Sequence, residues 1–222
     1  MIYKNIVYGK FISRPNRFTA NVRIGKETEV VHVKNTGRCR ELLLPGANVV
    51  LQKADNPNRK TKYDLIMVRK DKLGWVNIDS QAPNIIAGEW LKTQGFELIR
   101  PEFKFGGSRM DFYMEKNGDK YLMEVKGCTL EVEGSGYFPD APTARGTKHL
   151  RELIYAVKNG YRCALTFVIQ MNGINEVIPN LKTDPEFGNT LSEARTAGVE
   201  IINLCCRVSE DKIEWDKAVS CY

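Results

Sequence analysis

"SRMDFYMEKNGDKYLMEVKG", residues 108–127, sets two apolar, β-rich runs around an Asn-Gly pair, the composition of a tight hairpin. Three charges interrupt the runs, Asp111, Glu124 and Lys126, and a charge inside a sheet is costly unless something compensates it. Side chains alternate along a strand. Glu124 and Lys126 therefore share one face and Met123 and Val125 the other, while Asp111 points opposite to Met110 and Phe112. A two-residue loop at Asn117-Gly118 pairs Lys116 with Asp119. Asp111 lies five places before that pair and Glu124 five places after it, so the two acids face each other with Cα atoms about 4.5–5.5 Å apart. A four-residue loop over 116–119 keeps this register; a loop of odd length shifts it by one.

Like charges directly opposite one another destabilise a sheet, so two facing carboxylates call for a shared proton or a bound cation. Hard oxygen ligands on a rigid pair, with room left for water and phosphate oxygens, suit Mg²⁺ or Mn²⁺. Lys126 would then steady the pair or orient an attacking water. The competing reading is a solvated polar face on which Glu124 simply pairs with Lys126. The preceding helical stretch, "PNIIAGEWLKTQG" over 83–95, favours the metal. At 100° per residue, Glu89 falls about 40° from Ile85 and inside the Ile85–Ile86 stripe. This predicts a third acid aimed at the sheet, the alternative being an ion pair at the stripe's edge.

The order of elements around this hairpin is legible. Residues 96–105, 109–114, 121–127, 161–170 and 199–208 read as strands. Residues 147–160 read as a helix, with Leu150, Leu153, Ile154 and Val157 on one stripe and Gly160 as its stop. A second capped helix has Asp184 at its N-cap, Pro185 at N1 and Gly198 past its end. The order α-β-β-β-α-β, then α-β, predicts a mixed sheet. Residues 1–82 differ: about five short strands separated by turns suit a small barrel, with an OB-type barrel leading. We therefore expect an α+β chain of two units, 1–82 and 83–222.

Charge follows the same division. Residues 1–80 hold 16 Lys+Arg against 7 Asp+Glu, and residues 81–222 hold 17 against 20. A basic module predicts a polyanion partner, and such barrels hold single strands with basic and aromatic side chains. Arg14, Arg17, Lys34, Arg38, Arg59, Lys60 and Lys62, with Phe18 and Tyr63, are the candidates. An ordinary solvated basic face is the bland alternative. Gln170 ends a strand that would reach the acids, and Arg145 and Lys148 open the long helix, where phosphate contacts are expected. His149 reads as a structural residue at the edge of the stripe.

Composition excludes other classes. With 42% hydrophobic and 27% charged residues the chain is ordinary for a soluble domain. It has no apolar run of membrane-spanning length and no signal-peptide core, which points to the cytoplasm. The six cysteines lack CxxC spacing and read as reduced thiols; with two histidines, zinc is disfavoured. No Gly-rich nucleotide loop and no Ser/His/Asp arrangement is present.

A helix bearing Glu89, then Asp111, then Glu124-x-Lys126 resembles the PD-(D/E)xK core of restriction endonucleases, with Met110 where the superfamily name has proline. More specifically, "NRFTANV", "VKNTGR", "LLLPGANVVL", "VNIDSQAPN", "GGSRMDFYM", "YLMEVKGCTL" and "YFPDAPTARGTKHLREL" together resemble the sugar fermentation stimulation protein A family. That resemblance implies an N-terminal OB-like DNA-binding domain and a nuclease-like C-terminal domain. Glu89, Asp111 and Glu124 would be the metal-binding acids and Lys126 the catalytic lysine. Arg38 stands where the family has a serine. The expected function is DNA binding with a Mg-dependent nuclease site; the alternative is a non-catalytic DNA-binding regulator of sugar, notably maltose, metabolism. RNA as a partner and a homo-oligomeric state stay open; a membrane partner is not expected.

Overall fold

The computed structural model describes residues 1–35, 37–56 and 58–221. Six strands form the first unit: β1 (Ile6–Ser13), β2 (Thr19–Ile24), β3 (Glu27–Val33), β4 (Asn48–Lys53), β5 (Tyr63–Lys70) and β6 (Gly74–Asn77). They pair in the order β3-β2-β1-β4-β5-β6, and a parallel contact of His32 and Val33 with Asp64 and Leu65 joins β3 to β5 and closes an OB-like barrel. Alternation dictates its interior: Val22, Val31, Val49, Leu51 and Leu65 point in and are buried. Gly9 is obligatory, because a Cβ there would stand 2.5 Å from Val22 Cγ1. The short β6 was not anticipated. It carries the chain out of the barrel, where Asn77 N donates to Gln170 O at 2.9 Å.

The second unit is a six-stranded sheet of order β15-β14-β12-β9-β8-β7. Its strands are β7 (Leu98–Phe105), β8 (Ser108–Lys116), β9 (Asp119–Cys128), β12 (Arg162–Ile169), β14 (Glu200–Val208) and β15 (Ile213–Cys221), with β12 parallel to both β9 and β14. Strands β10 (Leu130–Val132), β11 (Ser135–Phe138) and β13 (Val177–Pro179) form a small side sheet. The chain is thus a barrel followed by a mixed α+β, restriction-endonuclease-like domain. Helix α1 (Ala82–Leu91) packs on one face of the main sheet, and α2 (Ala144–Lys158) and α3 (Pro185–Ala197) on the other.

Local signals explain most of these boundaries. Asn117 (φ 53°) and Gly118 (φ 81°) both sit in the left-handed region, as a two-residue hairpin with a primed turn requires, and Lys116 pairs with Asp119. Asp184 Oδ1 accepts from Phe187 N at 2.9 Å and Gly198 (φ 98°) ends α3. Helix α2 starts at Ala144, three residues before the expected position, because Thr143 caps it by accepting from Gly146 N.

The two sheet faces bury different cores. Phe112, Met114, Met123 and Val125 lie beneath Ile86, Trp90 and Leu91 of α1. Tyr113, Leu122, Leu165 and Phe167 meet Leu150, Leu153, Phe187 and Leu191. Burying each large aliphatic side chain contributes roughly 1.5–3 kcal/mol, which holds both helical layers to the sheet. Cys39, Cys128, Cys163, Cys205 and Cys206 are buried thiols without disulfides; the Cys221 side chain lies outside the described residues. Among the described residues, no helix is long and apolar enough to cross a membrane.

Candidate functional site

The sheet parts at Asp111. Pairing of β7 with β8 flanks Glu102 and Asp111 without including them, and Glu102 is left-handed (φ 56°). Pairing of β8 with β9 ends at Phe112 and Met123. Strict alternation fails at this point: Met110 packs in the α2–α3 core, whereas Phe112 lies under α1. The twist turns the Asp111 carboxylate into the gap. There Oδ2 accepts from Val125 N at 2.7 Å, where a ladder carbonyl would otherwise serve, and Oδ1 accepts from Asn84 Nδ2 at 2.7 Å. The hairpin register holds as far as Phe112 and Met123; the expected facing pair of Asp111 and Glu124 is not part of the ladder, and Asp111 engages β9 through its side chain. Burial, with the Glu124 charge adding to it, raises the Asp111 carboxyl above its ordinary value, against the opposing hydrogen bonds from Val125 and Asn84.

Glu124 is 2% exposed. Its Oε1 accepts from Lys126 Nζ, its neighbour two places along the same face, and from His149 Nδ1 on α2. Its Oε2 is buried without a partner. Burial alone would push this carboxyl up; the His149 hydrogen bond and the Lys126 charge outweigh it and hold the group below the usual carboxylate range. Arg145 Nε lies 3.5 Å from His149 Nε2, so the ring accepts there and donates from Nδ1 to Glu124. The result is a desolvated pair of acids with one open oxygen, bracketed by a lysine and a histidine.

Glu89 does not join this pair. Its carboxylate lies 3.4 Å from the Met1 ammonium, and its side chain is 40% exposed. The apolar stripe of α1 is Ala82, Ile86, Ala87, Trp90 and Leu91, with Ile85 exposed. Glu89, one turn on from Ile85, therefore looks away from the sheet. Helix α1 also covers the Met123/Val125 face, opposite Glu124. The α1 side chain that reaches the acids is Asn84, near the helix start. Gln170, also expected at the acids, is 1% exposed and donates from Nε2 to Asn77 Oδ1 (2.8 Å) and Asp79 O (3.0 Å). It closes the seam between the two units and leans over Gly127, where a Cβ would stand 2.3 Å from its Oε1.

The expected nucleic-acid contacts divide into two groups. Arg14 donates to the carbonyls of Arg17, Asn35, Gly37 and Arg38 and shapes that loop. Lys34 pairs at 2.7 Å with Asp79, which is fully buried. Arg59 grips both oxygens of Asp64, and Lys62 meets Glu29. Arg17, Arg38, Lys60, Arg145 and Lys148 remain exposed, although Lys148 Nζ also reaches Gly107 O at 3.1 Å. A cleft of about 450 Å³ opens where the barrel meets the sheet, lined by Arg17, Arg38, Pro83, Gly127, Tyr137 and Asp140 among others.

Sequence reasoning gave Asn84 only a place near the helix start and gave His149 a structural role, and it did not single out Asp140, whose Oδ2 accepts from Arg38 N at 2.7 Å across the two units. A signal existed for His149: it opens an amphipathic helix close to a capping threonine. None existed for Asp140, whose partner is 102 positions away. Among the described residues, no three His, Cys, Asp or Glu side chains cluster as a metal cage.

An OB-like barrel fused to a restriction-endonuclease-like sheet, with a buried Asp-Glu pair and a lysine where that sheet parts, defines a two-unit protein of nuclease-like architecture. Family models resolve the class further: residues 12–78 match the SfsA N-terminal OB domain, and residues 81–212 match the sugar fermentation stimulation protein RE domain. The chain belongs to the sugar fermentation stimulation protein family. It is 54% identical over 217 residues to the sugar fermentation stimulation protein homolog of Desulfitobacterium hafniense (96% of this chain, 95% of the relative). To the homolog of Clostridium beijerinckii it is 51% identical over 218 residues (96% of each). Among solved structures, Pyrococcus furiosus SfsA in complex with Ca²⁺ superposes with a TM-score of 0.87 at 29% identity, covering 99% of this chain and 96% of that one.

Proposed function

We propose that the chain binds DNA and hydrolyses its phosphodiester bonds with a divalent cation, Mg²⁺ or Mn²⁺, held by Asp111 and Glu124. The observation that carries this is the partnerless, buried Oε2 of Glu124 beside a second desolvated carboxylate. A buried acceptor with no donor is costly unless a ligand completes it, and two carboxylates with the rest of the shell left to water fit a small hard cation. That a relative was solved with Ca²⁺ supports divalent binding. A cation there would polarise the scissile phosphate and lower the pKa of a bound water.

The chain's own residues do the rest. Asn84 and Val125 N fix the Asp111 carboxylate, and His149 fixes that of Glu124. Lys126 stabilises the charge that builds up as water attacks. Residues 1–82 hold the strand by its phosphates with weak sequence preference, and residues 83–222 carry the chemistry. A second reading, a non-catalytic DNA-binding regulator of sugar metabolism, draws support from Glu124 Oε1, which Lys126 and His149 already satisfy.

Incubation of pure protein with single- and double-stranded DNA and RNA in Mg²⁺ or Mn²⁺ separates the two. Cleavage that falls at least about a hundredfold in Asp111→Ala is expected, since even supporting residues of metal sites are worth 10–100-fold. Products formed equally by the variant would overturn the enzymatic reading.

A further inference from the structure

The cleft between the units is lined by residues of both, and neither Asp111 nor Glu124 is among them. Pro83 and Gly127, two of its lining residues, are the chain neighbours of Asn84 and Lys126. Its character is amphipathic: Pro83, Leu130 and Tyr137 supply apolar and aromatic surface, and Arg17 and Arg38 supply positive charge. Among the described residues, both arginines make hydrogen bonds only through backbone groups, which leaves their guanidinium groups available. Asp140 fixes the opening, accepting from Arg38 N at 2.7 Å and Cys39 N at 3.3 Å and so tying barrel loop to sheet loop. Gly37 allows that closure, because a Cβ there would stand 2.7 Å from Asp140 Oδ2. Phe18, 58% exposed, follows Arg17.

Size restricts what can enter. About 450 Å³ lies within the range of pockets that enclose one small molecule. A nucleotide whose base is unpaired fits such a space; a base pair with both its backbones does not. Flat apolar surface beside free guanidinium groups matches a base and its phosphate, the combination on which single-strand binders rely.

We propose that this cleft takes single-stranded nucleic acid. The proposal rests on the nucleic-acid reading above and adds the strandedness of the ligand. The chain then recognises an unpaired tail, gap or frayed end, with Arg17 and Arg38 on phosphates and Tyr137 against a base.

Fluorescence anisotropy without divalent metal, on the full-length protein, tests this. The probes are a labelled single-stranded DNA, the ribo-oligonucleotide of the same sequence and the matched DNA duplex. At least about tenfold tighter binding of one or both single strands over the duplex is expected, a difference of about 1.4 kcal/mol. Arg17→Ala/Arg38→Ala should flatten the dependence of log K on log salt by about 1.4, at roughly 0.7 per phosphate contact. Tyr137→Ala should weaken single-strand binding about fivefold or more with the slope unchanged. Thermal melts of each variant establish that it is folded, and the single variant Arg38→Ala, with about half the slope change, serves if the double variant is not. A duplex bound as tightly as the single strands, or an unchanged salt slope in folded variants, overturns the proposal. Because no metal is present, strand preference without any cleavage elsewhere would uphold the cleft and sink the nuclease reading. Cleavage without strand preference would do the reverse.

Discussion

In the barrel, Arg14, Lys34, Arg59 and Lys62 each meet oxygen acceptors of the protein itself, so part of the unit's positive surplus is internally paired, while most of its lysines and arginines are exposed. In the sheet the balance of charge is slightly acidic, yet two acids are drawn inside and one oxygen is left without a donor. Net charge therefore located neither surface correctly in detail. A cation signals a ligand only when the fold leaves it unpaired, and an acid does so only when the fold buries it without a partner. By that criterion the acids to test on the sheet are Asp111 and Glu124, and the barrel cations to test are Arg17 and Arg38, which line the cleft between the units.

Substitutions can break or sharpen this contrast. The largest effect is expected at the acids, where Asp111→Ala should abolish cleavage while leaving metal-free nucleic-acid binding in place, measured by product formation and anisotropy side by side. Next, Glu124→Ala leaves Lys126 and His149 facing a buried void, and removal of one partner of a buried pair costs about 3 kcal/mol or more. At roughly 2–4 °C per kcal/mol for a chain of this size, thermal melts should show a drop of about 6–12 °C. A smaller loss, about 2 kcal/mol, is expected for Arg14→Ala through its carbonyl partners, whereas Arg17→Ala should alter stability by less than about 0.5 kcal/mol yet weaken binding. Equal stability losses for Arg14 and Arg17 would erase the distinction between internal and available cations.

The pH dependence follows from the opposite shifts of the acids. Glu124 sits below its ordinary value, so the stability it contributes is present above its unfolded value, about 4.3, and is lost as pH falls through its folded value. Asp111 sits above its ordinary value, so the folded chain holds that proton more tightly, and stability declines as pH rises from about 3.9 through the raised value. Metal-free melts of Glu124→Gln should accordingly converge with the parent as pH falls. Asp111→Ala should lose the decline on the rising side. The smallest effect is predicted for Glu89→Ala: less than about 0.5 kcal/mol and under about twofold in cleavage. A large loss of activity there would return the helix-borne acid to the site.

The hairpin was readable because its determinants are local. Asn117 and Gly118 favour left-handed backbone, and a period of two then carries register from the turn to Phe112 and Met123, one pair short of Asp111 and Glu124. The caps of α3 were readable for the same reason. Glu89 was misread because a short, nearly all-apolar helix has no clear inner face: Ile85 and Ile86 look alike in sequence, and only packing against β8, β9 and the chain's start exposes one and buries the other. The short strands β6, β10, β11 and β13 carry too few residues to show a period, and β15 is interrupted by charges that the sheet's edge tolerates.

By itself, then, the sequence determined the succession of a barrel and a mixed α+β sheet and the hairpin register as far as Phe112 and Met123, since turn geometry and strand alternation act over a few residues. Tertiary structure alone decided which helix face meets the sheet, that Asn84 and His149 complete the acid pair, and which arginines remain free beside the cleft. Those outcomes depend on partners 25 to 102 positions away, such as His149 for Glu124 and Asp140 for Arg38, and no local propensity encodes such pairings.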